Sequence, residues 1–198
     1  MRRSAFLSLV LFLGCASVVW AAPSPAPNES PPAEADESPA KAIDRLYARL
    51  AKTPFFDEAA GILAEIDRTR MQSGSDTADL LMSRALKARS GDDMALALKL
   101  FDSVVDLYPE WSEAWSERAT ARFQGGDVNG AMADIAQTLK RDPRDIGALA
   151  GLGVVLVDAG RPEDALRVYD RALALAPAYE PLKEARVRAQ SALWSLTP

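Results

Sequence analysis

Histidine is absent from this chain of 198 residues, and cysteine occurs once, at Cys15. Those gaps remove His-based triads, Cys-His dyads and the common zinc sites by inventory alone. Positive charge is also short: 23 Lys and Arg against 28 Asp and Glu leave a net charge of −5, the reverse of a nucleic-acid binder's basic footprint. The N-terminal apolar run, Ala5 to Gly14, falls short of the ~20 residues that a membrane span needs and is interrupted by Ser8. What is present, 48% hydrophobic and 26% charged residues, is an ordinary globular composition with length enough for one sizeable core.

The first 21 residues have the layout of an export signal. Arg2 and Arg3 supply a positive start, the apolar run follows, and Val19-Trp20-Ala21 ends in small residues suited to a signal peptidase. Cleavage after Ala21 removes two Arg, no acid and the sole cysteine, so the mature chain is more acidic and forms no disulfide. Two alternatives stay open: an uncleaved N-terminal membrane anchor, and lipidation at Cys15 within Phe12-Leu13-Gly14-Cys15, where Leu13 occupies a place usually held by a small residue. The expected location is periplasmic or secreted, with an envelope-anchored form as the alternative.

Residues 22–40 read as a disordered acidic linker: prolines at 23, 25, 27, 31, 32 and 39 alternate with Ala and Ser, and Glu29, Glu34, Asp36 and Glu37 add repulsion. Helical periodicity begins near Lys41. Ile43, Leu46, Tyr47 and Leu50 form one apolar stripe, Thr53-Pro54 interrupts, and Ile62, Leu63 and Ile66 form a second. This hairpin, residues 41–77, is expected to act as a cap over the repeat that follows it, or to be a degenerate repeat itself.

From Ala78 onward the chain repeats. Residues 78–111 carry Leu81, Ala85 and Ala88, then Ala97, Phe101 and Pro109; residues 112–145 carry Trp115, Ala119 and Arg122, then Ala131, Ile135 and Pro143. Residues 146–179 carry Leu149, Leu152, Gly153 and Leu156, then Ala165, Tyr169, Ala172 and Pro177. The closing prolines stand 34 residues apart both times. Turn signals keep the same step, at Gly91-Asp92, Gly125-Gly126-Asp127 and Gly160-Arg161-Pro162, where glycine is expected in a left-handed conformation and Asp92, Asp127 and Arg161 are expected to open the second helices. A last amphipathic segment within residues 180–195 has Leu182, Ala185 and Ala189 on one face and reads as a C-terminal capping helix. Period, small residues and prolines together resemble the tetratricopeptide repeat family, whose signature runs W-x2-L-G-x2-Y, A-x3-F, P.

That resemblance implies an all-α, right-handed α-solenoid of helix-turn-helix repeats, and a noncatalytic scaffold for protein–protein interaction. In the family the first helix of each repeat lines a concave surface. The corresponding positions are Asp79, Met82, Ser83, Leu86 and Arg89, then Glu113, Ser116, Glu117, Thr120 and Phe123, then Gly147, Ala150, Gly151, Val154 and Val157, with Asp158 at the rim. Met82, Leu86, Phe123, Val154 and Val157 make a candidate apolar strip for a protein or peptide partner, with packing against neighbouring helices as the alternative use of Leu86 and Val154. Met82, Leu86, Glu117, Gly147 and Gly151 stand where chaperone adaptors of the family resemble one another in a Lys, Asn and Arg clamp for a terminal carboxylate, so that clamp is excluded.

Other features read as structural. Asp57-Glu58 and Asp92-Asp93 fall at helix starts, where acids meet the helix dipole favourably. Gly151 and Gly153 lack the setting of a phosphate loop and read as close-packing sites, and Trp111 and Trp115 read as packing residues. No cofactor, metal, nucleic acid or small-molecule substrate is expected, and membrane contact only through the N-terminus. A structural subunit of an envelope assembly, contacting partners through convex faces and caps, is the competing function.

Overall fold

The computed structural model describes residues 38–196, and every regular element among them is a helix. The leader, Cys15 and the Pro-rich stretch up to residue 37 lie outside the described residues. A hairpin of α1 (Pro39–Leu50) and α2 (Phe56–Arg70) precedes three further helix pairs and a last helix. The pairs are α3 (Asp76–Ser90) with α4 (Met94–Leu107), α5 (Ser112–Gln124) with α6 (Val128–Arg141), and α7 (Ile146–Asp158) with α8 (Pro162–Leu175); α9 (Glu180–Leu196) ends the array. This is an all-α solenoid.

Some boundaries move from their expected places for local reasons. Pro39, assigned by composition to the linker, is the first residue of α1, where its missing N–H costs no hydrogen bond. The second helices α4, α6 and α8 end at Leu107, Arg141 and Leu175, each two residues before a proline that cannot continue the helix.

The turns inside the pairs obey one geometry. Asp92, Gly126 and Gly160 have φ of 61°, 83° and 71°. The next N–H in each case reaches back to close the first helix, Asp93 to Ala88 O at 3.0 Å, Asp127 to Arg122 O at 2.9 Å and Arg161 to Leu156 O at 2.8 Å. In the first pair the left-handed residue is Asp92 rather than Gly91, since a short Asp side chain tolerates that region. The cap of α4 shifts accordingly to Asp93, whose carboxylate accepts from Leu96 N at 3.0 Å. Asp127 and Asp145 cap α6 and α7 in the same manner, at 2.9 and 2.8 Å.

Packing within the third pair explains its small residues. Tyr169 is 2% exposed and presses the far end of its ring against Gly153; a Cβ there would lie 2.4 Å from the ring. Gly151 differs, because a Cβ there would meet only Ile135 Cδ1 at 3.8 Å, an ordinary contact. Gly153 is therefore a close-packing site and Gly151 is not.

Adjacent pairs are tied by charge. Arg118 of α5 grips Asp134 of α6 through two bonds of 2.8 and 2.9 Å and reaches Asp102 of α4 at 2.8 Å. Trp115 lies between the guanidinium groups of Arg118 and Arg141, each 4.9 Å from its ring, and donates to Pro109 O at 2.8 Å.

The hairpin's main apolar face docks on the third pair, and at its end Met71 packs on the core of the first. Leu46, Leu50, Ile62 and Ile66 share one core with Ile146, Leu149 and Tyr169 of the third pair and with Leu182 and Ala189 of α9. Polar contacts fix the same docking: Tyr47 Oη donates to Arg144 O at 2.6 Å, Arg144 pairs with Asp44 at 2.8 Å, and the Phe56 ring stacks on Tyr179 at 5.9 Å. Leu80 and Leu96 on the first pair stay 52% and 46% exposed. Two substitutions separate these sites. Gly153→Ala lowers unfolding free energy by about 1–3 kcal/mol in urea despite alanine's better helix propensity, through overpacking against Tyr169. Leu96→Lys stays within about 0.5 kcal/mol of wild type, as expected for an exposed side chain.

Candidate partner-binding groove

A cavity of about 460 Å³ opens between α5 and α7, a size suited to one or two inserted side chains. Ser116, Thr120 and Phe123 of α5 form one wall, with Gly147, Gly151 and Val154 of α7 facing them. Their spacing of three or four residues places them on single helix faces. Ala119, Ile135, Ala148 and Val155, a small buried cluster, make the floor. Asp67 and Met71, at the end of α2, line the same cavity, so the hairpin supplies part of its boundary.

The expected groove residues divide. Ser116, Thr120, Phe123 and Val154 line this cavity. Ala150 lines a neighbouring one of about 310 Å³, bounded by α1, α2, α7 and α9, which Val154 also reaches. Met82 is 1% exposed and belongs to the core of the first pair with Ala85, Phe101 and Val104, which corrects its assignment to the groove. Leu86 packs on that core and Val157 on the core of the third pair. Arg89 turns to Glu117 at 2.6 Å, with Phe101 under its guanidinium at 5.8 Å. Asp158 is exposed at the last residue of α7 and lines neither cavity. Repeat phase says which helix faces inward; it does not say how deeply a first repeat sinks those positions. Asp67, Met71 and Asp145 were outside the expected set, because the hairpin's docking at α7 has no local sequence signal.

Behind the cavity lies a buried charge cluster. Arg70, 8% exposed, bonds to Asp145 and lies 3.4 Å from both Asp142 and Glu113. Burial opposes its charge, but Asp145 and Glu113 outweigh that and hold its pKa above the ordinary range. One guanidinium cannot neutralise three carboxylates. Glu113, 7% exposed, has Oε2 without a hydrogen bond, and burial pushes its carboxyl up to about 8, against a smaller lowering from Arg70. Burial raises Asp67 as well, with Arg70 partly opposing it. Among the described residues no group of acidic side chains is arranged to hold a metal ion, and no helix is long and apolar enough to cross a membrane.

Comparison with known proteins fits this geometry. The tetratricopeptide repeat family model matches residues 116–180. A TPR repeat-containing protein of Rhizobium etli is 35% identical over 144 residues, covering 73% of this chain and 71% of that protein. The chain belongs to the tetratricopeptide repeat family. Tetratricopeptide repeat protein 36 of Bos taurus is 33% identical over 134 residues, covering 62% of this chain and 71% of the relative. Among solved structures, the first TPR of Spaghetti (RPAP3), bound to the HSP90 peptide SRMEEVD, superposes with a TM-score of 0.56 at 20% identity, covering 59% of this chain and 94% of that one, a likeness of fold. TPR domains mediate protein–protein interaction, and this TPR array presents an open, partly apolar surface of the kind that such contacts use.

The raised Glu113 carboxyl makes the array's stability depend on pH. The fold binds that proton more tightly than the unfolded chain, so its contribution is complete below the ordinary value of 4.5 and is lost as pH rises through about 8. Urea unfolding at pH 5, 6.5 and 8.5 is expected to show wild type losing more stability across this range than Glu113→Gln, which carries no proton to lose. Parallel curves would mean that Glu113 is already ionised in the fold.

Proposed function

We propose that this TPR chain is a noncatalytic scaffold that holds a segment of a protein partner in the groove between α5 and α7. The observation that carries this reading is the cavity itself. It is open, floored by Ile135 and Val155, and walled by Phe123 and Val154 on the first helices of two successive repeats. Val154 is 40% exposed, an apolar side chain left uncovered on the inward face. Glu117, Gly147 and Gly151 stand at the wall without any Lys or Asn, so the reading excludes a grip on a terminal carboxylate. The leader supports a site of action in the periplasm or outside the cell, with an anchored form in the envelope as the alternative.

A second reading, a structural subunit of an envelope assembly making contact through its outer faces, draws on Leu80 and Leu96, exposed on the first pair. One crosslinking experiment in envelope extract separates the two. Gly151 has room for a Cβ, so Gly151→Met combined with Phe123→Arg serves to obstruct the groove, in a preparation whose melting curve is first shown to match wild type. The groove reading expects specific crosslinked partners to disappear from this variant and to persist in Leu80→Glu, Leu96→Glu. The opposite pattern transfers the function to the first pair's outer face.

A further inference from the structure

Resting on the groove reading, we infer that the partner segment is cationic: it places a Lys or Arg side chain beside Asp67, with an apolar side chain against Phe123 and Val154. Four carboxylate residues line the cavity, Asp67, Glu113, Glu117 and Asp145, and no Lys or Arg does. Two of the four already have cations: Asp145 is bound by Arg70, and Glu117 by Arg89 at 2.6 Å. Glu113 is enclosed beneath them with Oε2 unbonded and Arg70 Nε 3.4 Å away, sharing a cation that Asp145 and Asp142 also claim.

Asp67 is the remaining one. It is exposed on one side of α2 and set against protein on the other, and among the described residues no side-chain hydrogen bond or ion pair engages its carboxylate, on which Arg70 acts only through space. Met71, one helical turn further along, continues the same wall with an adaptable apolar side chain. The groove therefore offers an unpaired carboxylate at the hairpin side and apolar contact at the Phe123 and Val154 side. A Lys or Arg side chain matches both needs, its stem covering apolar surface and its charged head reaching Asp67. An acidic segment would add like charge to a cavity that already holds an excess of it, which costs binding free energy and selects against that class of partner.

The test is selection of a random dodecapeptide library, displayed on phage, against the purified full chain. A chain of net charge −5 attracts basic peptides everywhere, so the variants must separate site from background. Lys or Arg next to Leu, Ile, Phe or Met is expected to be enriched about fivefold or more over the starting library. The selected peptides should lose affinity about tenfold or more with Asp67→Lys and stay within about twofold with Asp106→Lys, which changes net charge equally on an exposed position of α4. Enrichment of acidic or uncharged peptides, no enrichment, or equal losses in the two variants overturns the proposal. Peptides that ignore Asp67→Lys yet are lost with Phe123→Arg overturn the charge assignment and leave the groove standing. Peptides that ignore both substitutions overturn the groove reading with it.

Discussion

Arg70 is the point on which this arrangement turns. It ends α2, and its guanidinium lies 75 residues from the Asp145 carboxylate that it bonds, while its carbonyl accepts from Trp111 Nε1 at 2.9 Å. One residue thus joins the hairpin to the start of α5 and to the start of α7. Removing a guanidinium from water is costly, and a buried ion pair adds little net stability over an apolar substitute. Its physical value is in placement. The hydrophobic attraction of Leu46, Leu50 and Ile66 for the third pair is non-directional, whereas bonds from a buried cation to Asp145 accept only one position of α2.

The groove inherits its character from that placement. With α2 held across the starts of α5 and α7, Asp67 and Met71 become part of the wall, and a surface that repeat phase alone would leave mixed becomes acidic on one side and apolar on the other. The same docking encloses Glu113, and burial pushes its carboxyl up to about 8 against a smaller lowering from Arg70.

Much of the architecture was legible because it is set locally. Helix ends followed the prolines at 109, 143 and 177 and the shared turn geometry at 92, 126 and 160. Within the groove, Ser116, Thr120, Phe123 and Val154 could be placed from repeat phase, since residues three or four apart share a helix face. Met82 could not, because its phase matches theirs and only the packing of α3 on α4 buries it. Gly151 and Gly153 are equally indistinct in sequence; Tyr169 leaves room beside one and none beside the other.

By itself the amino-acid sequence determined the number of helix pairs, their 34-residue step and the lack of residues for common catalysis. Each follows from backbone propensity, side-chain size or plain inventory, which act over one or two helical turns. Tertiary structure alone decided where the hairpin docks, which carboxylates meet Arg70, and that Asp67 faces the groove. The apolar stripe on α1 and α2 fits any sufficiently large apolar face, so its partner is selected by competition among surfaces distant in the chain, and that competition is settled only once all of them are folded.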